Sequence, residues 1–346
     1  MLHPLQRILS AWARPRRGSM LLQGTGQILQ EGLTLAIVIW MNRRHFVGLA
    51  ASAVVVQGLP RAFAAAPIKP FALGVVIKPY GAPEERLRMA HDLGFPTVFL
   101  SMDDYIGSFT PDLARQYRDL LAKYQLTATT VEVVGPPPLK WNFMQGPDTI
   151  GVVPPKTRAA RIDALRQASD FAKLVGIAQV QTHCGFIPEN PGDALYTQAV
   201  EAIRTVAKHC QGNGQDFLME TGQETPTTMS RAIHDVGLPN LGVGLDTANL
   251  LLYGKANPVD AVDILGPHVK SVHAKDGRWP TNPNEFGEEV LIGKGLVDFR
   301  AVFTKLHRVG YKGAISIERE TSGPQQIEDV KAEKAYLERV IREVNA

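Results

Sequence analysis

Apolar runs of five to seven residues alternate with longer amphipathic segments from about Phe71 to the end of this chain. The runs are Phe71–Ile77, Thr97–Met102, Ala128–Val134, Ala178–Cys184, Asp216–Thr221, Leu241–Asp246, Val269–His273 and Ala314–Glu318. Their length predicts strands, and their nearly continuous apolar character predicts parallel strands covered on both faces. The segments between them predict helices near Glu84–Leu93, Pro111–Tyr124, Lys156–Val175, Gly192–Cys210, Thr227–Val236, Pro258–Leu265 and Phe299–Val309, with a last helix over Gln326–Val344. Gly94, Gly176, Gly212, Gly237 and Gly310 close or follow these helices, where a left-handed residue is needed. Pro111 and Pro258 fall in first turns, where the missing N–H does no harm. Eight strand-then-helix units predict a single-domain α/β fold, a (β/α)8 TIM barrel. A doubly wound open sheet is the other arrangement of such units, but no glycine-rich phosphate fingerprint follows the first strand.

Four of the predicted strands end in metal-ligand types: FLME to Glu220, GVGLD to Asp246, VKSVH to His273 and AISIE to Glu318. A carboxylate or imidazole at the end of a buried strand is costly unless something pairs with it, and one cation could satisfy all four. The spacings of 26, 27 and 45 residues place one ligand on each successive unit, not in one local loop. In a barrel, strands five to eight are neighbours, so these tips converge on one side of the C-terminal mouth, the catalytic face of such folds. Three carboxylates and an imidazole make a hard, oxygen-rich site. That favours Mn2+, then Mg2+, Co2+ or Fe2+, over a thiolate-type zinc site, with Zn2+ as a further alternative. Two long segments, Gly135–Pro155 and Gly277–Lys294, follow strands and are predicted to stand over the same face as lids or substrate walls.

Charge and leader chemistry alter the picture. Residues 1–66 contain seven of the 37 basic residues and one of the 34 acidic ones, leaving 30 and 33 in residues 67–346. The overall net charge of +3 therefore resides in the N-terminal segment, and the remainder is mildly acidic, which excludes a basic nucleic-acid-binding surface. From Met41 the sequence reads MNRRHFVGLAASAVVVQGLPRAFAAAP. Its twin arginines, mild apolar stretch and small-residue zone match a Tat export signal, with cleavage after Ala64. Residues 1–40 are then upstream of a normal signal start, as if the start codon were placed too early. The expectation is a leader over residues 1–66, recognition by the Tat machinery, a periplasmic or otherwise exported domain over 67–346, and no stable membrane association after cleavage. The apolar stretch is too short to span a bilayer. Cys184 and Cys210 fall at opposite ends of a strand–helix unit and are expected to be free thiols.

Three stretches carry a family resemblance: VHAKDG around His273, GLDTAN around Asp246, and IGKGLVDFRAVFTKLHRVGYKGAISIE ending at Glu318. From Phe71 to Val344 the chain resembles the xylose-isomerase-like sugar isomerase/epimerase superfamily, which includes ketose 3-epimerases, hydroxypyruvate isomerase and inosose dehydratase. The resemblance implies a TIM barrel with one divalent metal held by Glu220, Asp246, His273 and Glu318. It also implies proton abstraction next to a sugar carbonyl through an enediolate, with Glu220 and Glu318 as the catalytic acid/base pair. Members of the same superfamily use this acidification for elimination, so a dehydratase or lyase acting on a keto-sugar, inosose or 3-keto-glycoside is the alternative. A non-catalytic periplasmic sugar-binding protein is a second alternative. Endonuclease IV also shares the resemblance, but its zinc cluster needs histidines on strands two and three that are missing here.

Further residues are candidates for substrate binding: His183, Glu132, Lys275, Trp141, Trp279 and Asn249. Asn249 stands three residues after Asp246, where several ketose epimerases carry a substrate-binding histidine. Asp276 is a candidate partner for a metal-bound side chain. Glu320 is the rival ligand if the last strand is shifted in register. Export favours an unphosphorylated sugar, keto-sugar or glycoside as substrate. Self-association into a homo-oligomer is left open.

Overall fold

The structure, a computed structural model, describes residues 69–345. The segment expected to be a leader, with the twin arginines Arg43 and Arg44, lies outside the described residues. Eight parallel strands form a closed barrel: β1 (Leu73–Ile77), β2 (Thr97–Ser101), β3 (Thr127–Glu132), β4 (Gln179–Thr182), β5 (Asp216–Glu220), β6 (Leu241–Asp246), β7 (Val269–Ala274) and β8 (Ile315–Ile317). Each pairs with its sequence neighbours, and β8 closes onto β1 through Leu73 opposite Ile315. The outer layer holds α1 (Pro83–Asp92), α2 (Pro111–Lys123), α3 (Pro155–Val175), α4 (Ala194–Gly212), α5 (Pro226–Val236), α6 (Pro258–Leu265), α7 (Phe299–Arg308) and α8 (Pro324–Val344). No helix among the described residues is long and apolar enough to cross a membrane.

Local chemistry explains the helix boundaries. The side chains of Thr110, Asp193, Thr225, Asn257 and Asp298 accept from backbone N–H groups in the first turns of α2, α4, α5, α6 and α7, satisfying donors with no intrahelical partner. Gly176 and Gly237 end α3 and α5 in the left-handed conformation. Gly212 differs from expectation: it is the last residue of α4, and Gly214 takes the positive φ two residues later.

The strands are less uniformly apolar than expected, because the inside of the barrel is partly polar. Thr130 Oγ1 donates to Gln179 Oε1 at 2.9 Å, and the Gln179 amide donates to the Lys270 carbonyl at 3.0 Å. Side chains in these layers fit because opposing positions lack them. A Cβ on Gly244 would lie 2.1 Å from Gln181 Oε1, and one on Gly74 would lie 2.3 Å from Thr97 Oγ1. The apolar core lies between strands and helices, around residues such as Leu87, Val98, Leu165, Phe217, Val243, Val272, Phe303 and Leu337. Both cysteines are free and buried.

Both long segments stand on the C-terminal side of the strands. The first, after β3, includes a short helix at Gly146–Thr149. The buried Arg161 guanidinium of α3 holds it, donating to the carbonyls of Pro138, Thr149 and Gly151 at 2.8, 2.5 and 2.8 Å. The second, after β7, is pinned at its base where Asp276–Gly277 pairs antiparallel with Glu289–Val290. Phe143 of one and Phe286 of the other meet edge to face at 4.6 Å, and Phe286 also rests on Tyr253 at 4.2 Å. The two loops are thereby joined across one side of the mouth.

Candidate functional site

The four strand-end residues come together. Glu220 and Asp246 are the last residues of β5 and β6, His273 lies near the end of β7, and Glu318 follows β8 by one residue. One ligand-type atom from each lies within 4.8 Å of the other three. His273 Nδ1 is 3.3 Å from Glu220 Oε1 and 3.4 Å from Glu318 Oε2. Neither His273 nitrogen, nor Asp246 Oδ2, makes a hydrogen bond among the described residues, although all are buried. Ligand atoms around a cation at roughly 2.1 Å stand about 3 Å apart, and the contacts of His273 Nδ1 with Glu220 and Glu318 are close to that separation. Buried polar atoms left without partners beside two carboxylates are atoms that a cation could satisfy. The residues fit a divalent cation.

The protonation pattern agrees. Burial works against ionisation of Glu220, but His183, His273 and hydrogen bonds outweigh it and hold its carboxyl well below the usual range. Burial likewise opposes ionisation of Glu318, and Lys275 and His273 bring its carboxyl far down. Asp246 goes the other way: burial raises it well above normal, and Glu318 and Glu220 add to this against the pull of Lys275. Burial opposes charge on His273 too, yet Glu220 and Glu318 raise its pKa well above normal. Without a cation, protons on Asp246 and His273 supply the positive charge that the cluster requires, and a divalent ion can replace them.

The other candidates sort clearly by position. Asn249 begins a short helix at Asn249–Leu252, and its amide donates to Glu220 Oε1 at 3.3 Å, so it helps to fix that carboxylate. The Asp246 Oδ1 atom accepts from the backbone N–H of Ala248 and Asn249, both at 2.7 Å, which aims the carboxylate. Lys275 is buried, with its ammonium 3.4 Å from Glu318 Oε2 and 3.0 Å from Glu320 Oε1. Glu320 is exposed, which settles the register of β8 in favour of Glu318 as the inward residue. His183 Nε2 is 3.4 Å from Glu220 Oε2, and the half-exposed Trp141 ring stands 5.0 Å from the His183 ring. Glu132 is buried beside Glu220; burial first, then the Glu220 charge, raises its pKa well above normal.

One expectation is corrected. Asp276 does not brace a ligand: its carboxylate accepts the N–H groups of Gly277, Gly293, Gly295 and Val297, at 2.8 to 3.1 Å, and so shapes the second loop. Trp279 is an exposed residue of that loop, beside Gly254. Other residues in the site were not anticipated. Gln181 donates to Glu220 Oε2 at 2.9 Å, Gln223 links His183 to the Tyr253 hydroxyl, and the Phe99 ring stands edge-on to His273 at 4.3 Å. Gln181 and Gln179 were visible as polar residues two apart in a short strand, a spacing that puts both on the inner face.

Comparison with known proteins places this arrangement. Residues 87–340 match the sequence profile described as xylose isomerase-like TIM barrel. L-ribulose-5-phosphate 3-epimerase UlaE of Shigella boydii is 30% identical over 286 residues, covering 76% of this chain and 93% of that protein. An uncharacterized Methanocaldococcus jannaschii protein, MJ1311, is 26% identical over 204 residues, 55% of this chain and 65% of its own length. The crystal structure of a xylose isomerase domain protein from Planctomyces limnophilus superposes with a TM-score of 0.75 at 31% identity, over 80% of this chain and 99% of that one. A D-psicose 3-epimerase crystal structure shares the fold, with a TM-score of 0.60 at 16% identity. With strands, ligand-type residues and profile in agreement, the chain belongs to the xylose isomerase-like TIM barrel family.

Proposed function

We propose that this protein is a divalent-metal-dependent sugar isomerase or epimerase that moves a proton on the carbon next to a carbonyl. The observation carrying the reading is the meeting of Glu220, Asp246, His273 and Glu318 with their buried, unpartnered acceptor atoms turned inward. Relatives named as sugar 3-epimerases support the reaction class. A cation held by these four residues, with Mn2+ first among the candidates, would polarise the substrate carbonyl and acidify the adjacent C–H.

The chain's own residues supply the proton transfer. Glu220 is held ionised in a water-poor site, and the Gln181 and Asn249 amides fix both its oxygens. It takes the proton, giving an enediolate. Glu318, 3.4 Å from His273 Nδ1 and beside the Lys275 ammonium, enters the cycle carrying a proton and gives it to the carbon, ending as a carboxylate while Glu220 keeps the abstracted proton; in the reverse direction the two exchange roles. Trp141, beside His183, forms a wall against which a sugar ring can lie.

Elimination from a keto-sugar, inosose or 3-keto-glycoside is the second reading. It is favoured by Asn249, which occupies the place of a substrate-binding histidine and is engaged with Glu220 instead. The proposal includes Tat export and action on an unphosphorylated sugar outside the cytoplasm, resting on the Arg43–Arg44 leader.

Proton NMR in D2O tests the reaction directly, using the Mn2+-loaded protein with ketoses, inososes and 3-keto-glycosides. Deuterium should enter next to the carbonyl with at least one class, and Glu220→Gln should abolish the exchange. If no sugar exchanges while Glu220→Gln and the parent bind sugar equally, the protein is a binding protein and the enzymatic reading fails.

A further inference from the structure

Glu318 lies one residue beyond β8, a strand of only three residues. Its register pairs end at Ile317, and one further backbone bond, from the Glu318 N–H to the Ala274 carbonyl at 3.1 Å, extends the ladder. Beyond it, side-chain contacts decide the path of the chain, at the very residue that gives the proton. Alternation sends Glu318 and Glu320 toward Lys275, at 3.4 and 3.0 Å, and Arg319 to the opposite side.

There the guanidinium meets two separate elements. Arg319 Nη1 donates to Glu289 Oε1 at 2.7 Å, in the base of the loop after β7, and Nε donates to Asp329 Oδ2 at 2.9 Å, on α8. All three side chains are largely buried. Glu289 Oε1 also accepts the Glu320 N–H at 3.2 Å, so one carboxylate holds both the Arg319 side chain and the backbone of its neighbour. The Gln326 amide donates to the Arg319 carbonyl at 2.7 Å, and the Gln325 amide donates to Asp329 Oδ1 at 2.8 Å. Glu333, buried one turn beyond Asp329, stands 3.9 Å from Arg319 Nε and accepts the Ile292 N–H of the same loop at 3.2 Å. A planar fork can hold two acids in fixed directions, as a flexible ammonium cannot. Its removal would leave buried acids uncompensated.

We propose that Arg319 is a positioning residue for Glu318: it clamps the residues after β8 between the loop base and α8, and so holds the Glu318 carboxyl in place beside His273. This rests on the function proposed above. Arg319 acts through the chain, since its side chain leaves on the side away from Lys275. The clamp matters most in the second half of the reaction, when Glu318 delivers its proton. Abstraction by Glu220 depends instead on the Gln181 and Asn249 amides. Loosening the clamp therefore slows delivery more than abstraction.

Proton NMR in D2O on the Mn2+-loaded full chain, with a sugar that the parent exchanges, reads both halves at once. Deuterium returned to the starting sugar reports abstraction by Glu220, and product reports delivery from Glu318. Arg319→Gln should raise the ratio of deuterated starting sugar to product on the order of tenfold, and should weaken Mn2+ binding by a similar factor in a titration without sugar. Glu289→Ala should act in the same direction to a smaller extent, because Asp329 stays on the guanidinium; it answers alone where Arg319→Gln fails to fold. Exchange and product falling by the same factor, or a ratio equal to the parent's, would mean that Arg319 serves only the fold, and would overturn this role while the proposed function stands. A parent that exchanges no sugar overturns the proposed function, and this role with it.

Discussion

Replacing Glu224 by glutamine should make stability less sensitive to alkaline pH, by an amount that the structure sets. Glu224 follows β5, is 1% exposed, and has neither carboxylate oxygen in a hydrogen bond among the described residues. Burial pushes its pKa from the usual 4.5 up to about 8; its own backbone N–H and Lys255 oppose this, and Glu220 adds to it. Between these two values the folded chain keeps a proton that the unfolded chain has released. Stability therefore falls as pH rises through this window, by about 1.4 kcal/mol per unit. From pH 5 to pH 8 the loss is roughly 4 kcal/mol. Glutamine is neutral at every pH and lacks this slope. The variant's unfolding free energy minus the parent's should thus rise by about 4 kcal/mol over that range and stay flat below about pH 4.5. The corresponding shift in Tm is roughly 8–16 °C for a domain of this size. Urea melts at pH 5, 6, 7 and 8, at equal Mn2+, measure the difference directly, and titrations common to both proteins cancel. A constant offset across the range would refute the reasoning, because it would mean that Glu224 ionises as readily folded as unfolded.

Other perturbations probe the site and its supports. Gly244→Ala would put a Cβ 2.1 Å from Gln181 Oε1 and so displace the amide from Glu220. Metal affinity or activity should drop by about 10–100-fold, and metal titration checks it; unchanged affinity would show that Gln181 does not position Glu220. Lys275→Met removes the cation beside Glu318, so the Glu318 pKa should rise and the limb of kcat/KM that Glu318 governs should move to higher pH, read from a pH–rate profile. Arg161→Gln deletes the hydrogen bonds to Pro138, Thr149 and Gly151, and should raise KM, speed proteolysis within residues 135–153 and destabilise the fold by about 2–4 kcal/mol.

The barrel was legible because each unit repeats one pattern, a short apolar strand followed by a longer amphipathic helix. The four ligand types were legible for a related reason: they stand at strand ends, where burial makes an acid or imidazole conspicuous. What escaped depends on contacts between distant segments. Arg161 lies in a long amphipathic helix, where an arginine is expected on the solvated face, and only the fold of residues 135–153 back over α3 buries it. Gln223 sits in a loop whose sequence, TGQETP, has no periodicity to reveal that it touches both His183 and Tyr253. Asp276 follows the His273 motif closely enough to look like a ligand's partner, but its four accepted N–H groups come from Gly277, Gly293, Gly295 and Val297. Apolar runs also concealed the polar interior, since alternate inward residues of β3 and β4 are Thr130, Glu132, Gln179 and Gln181.

The Asp276 cradle makes the loop after β7 an exchangeable cassette. Its base is fixed by a carboxylate that gathers both ends of the excursion, while its tip, from Arg278 to Glu288, reaches the barrel through Phe286 and the Gly287 N–H to the Leu252 carbonyl. Length and sequence within the tip can therefore diverge without shifting His273 or Lys275. Evolution or a protein engineer can graft a different tip onto the same base, provided an aromatic anchor is kept, and so retune what the mouth admits while the strand-end cluster stays in place.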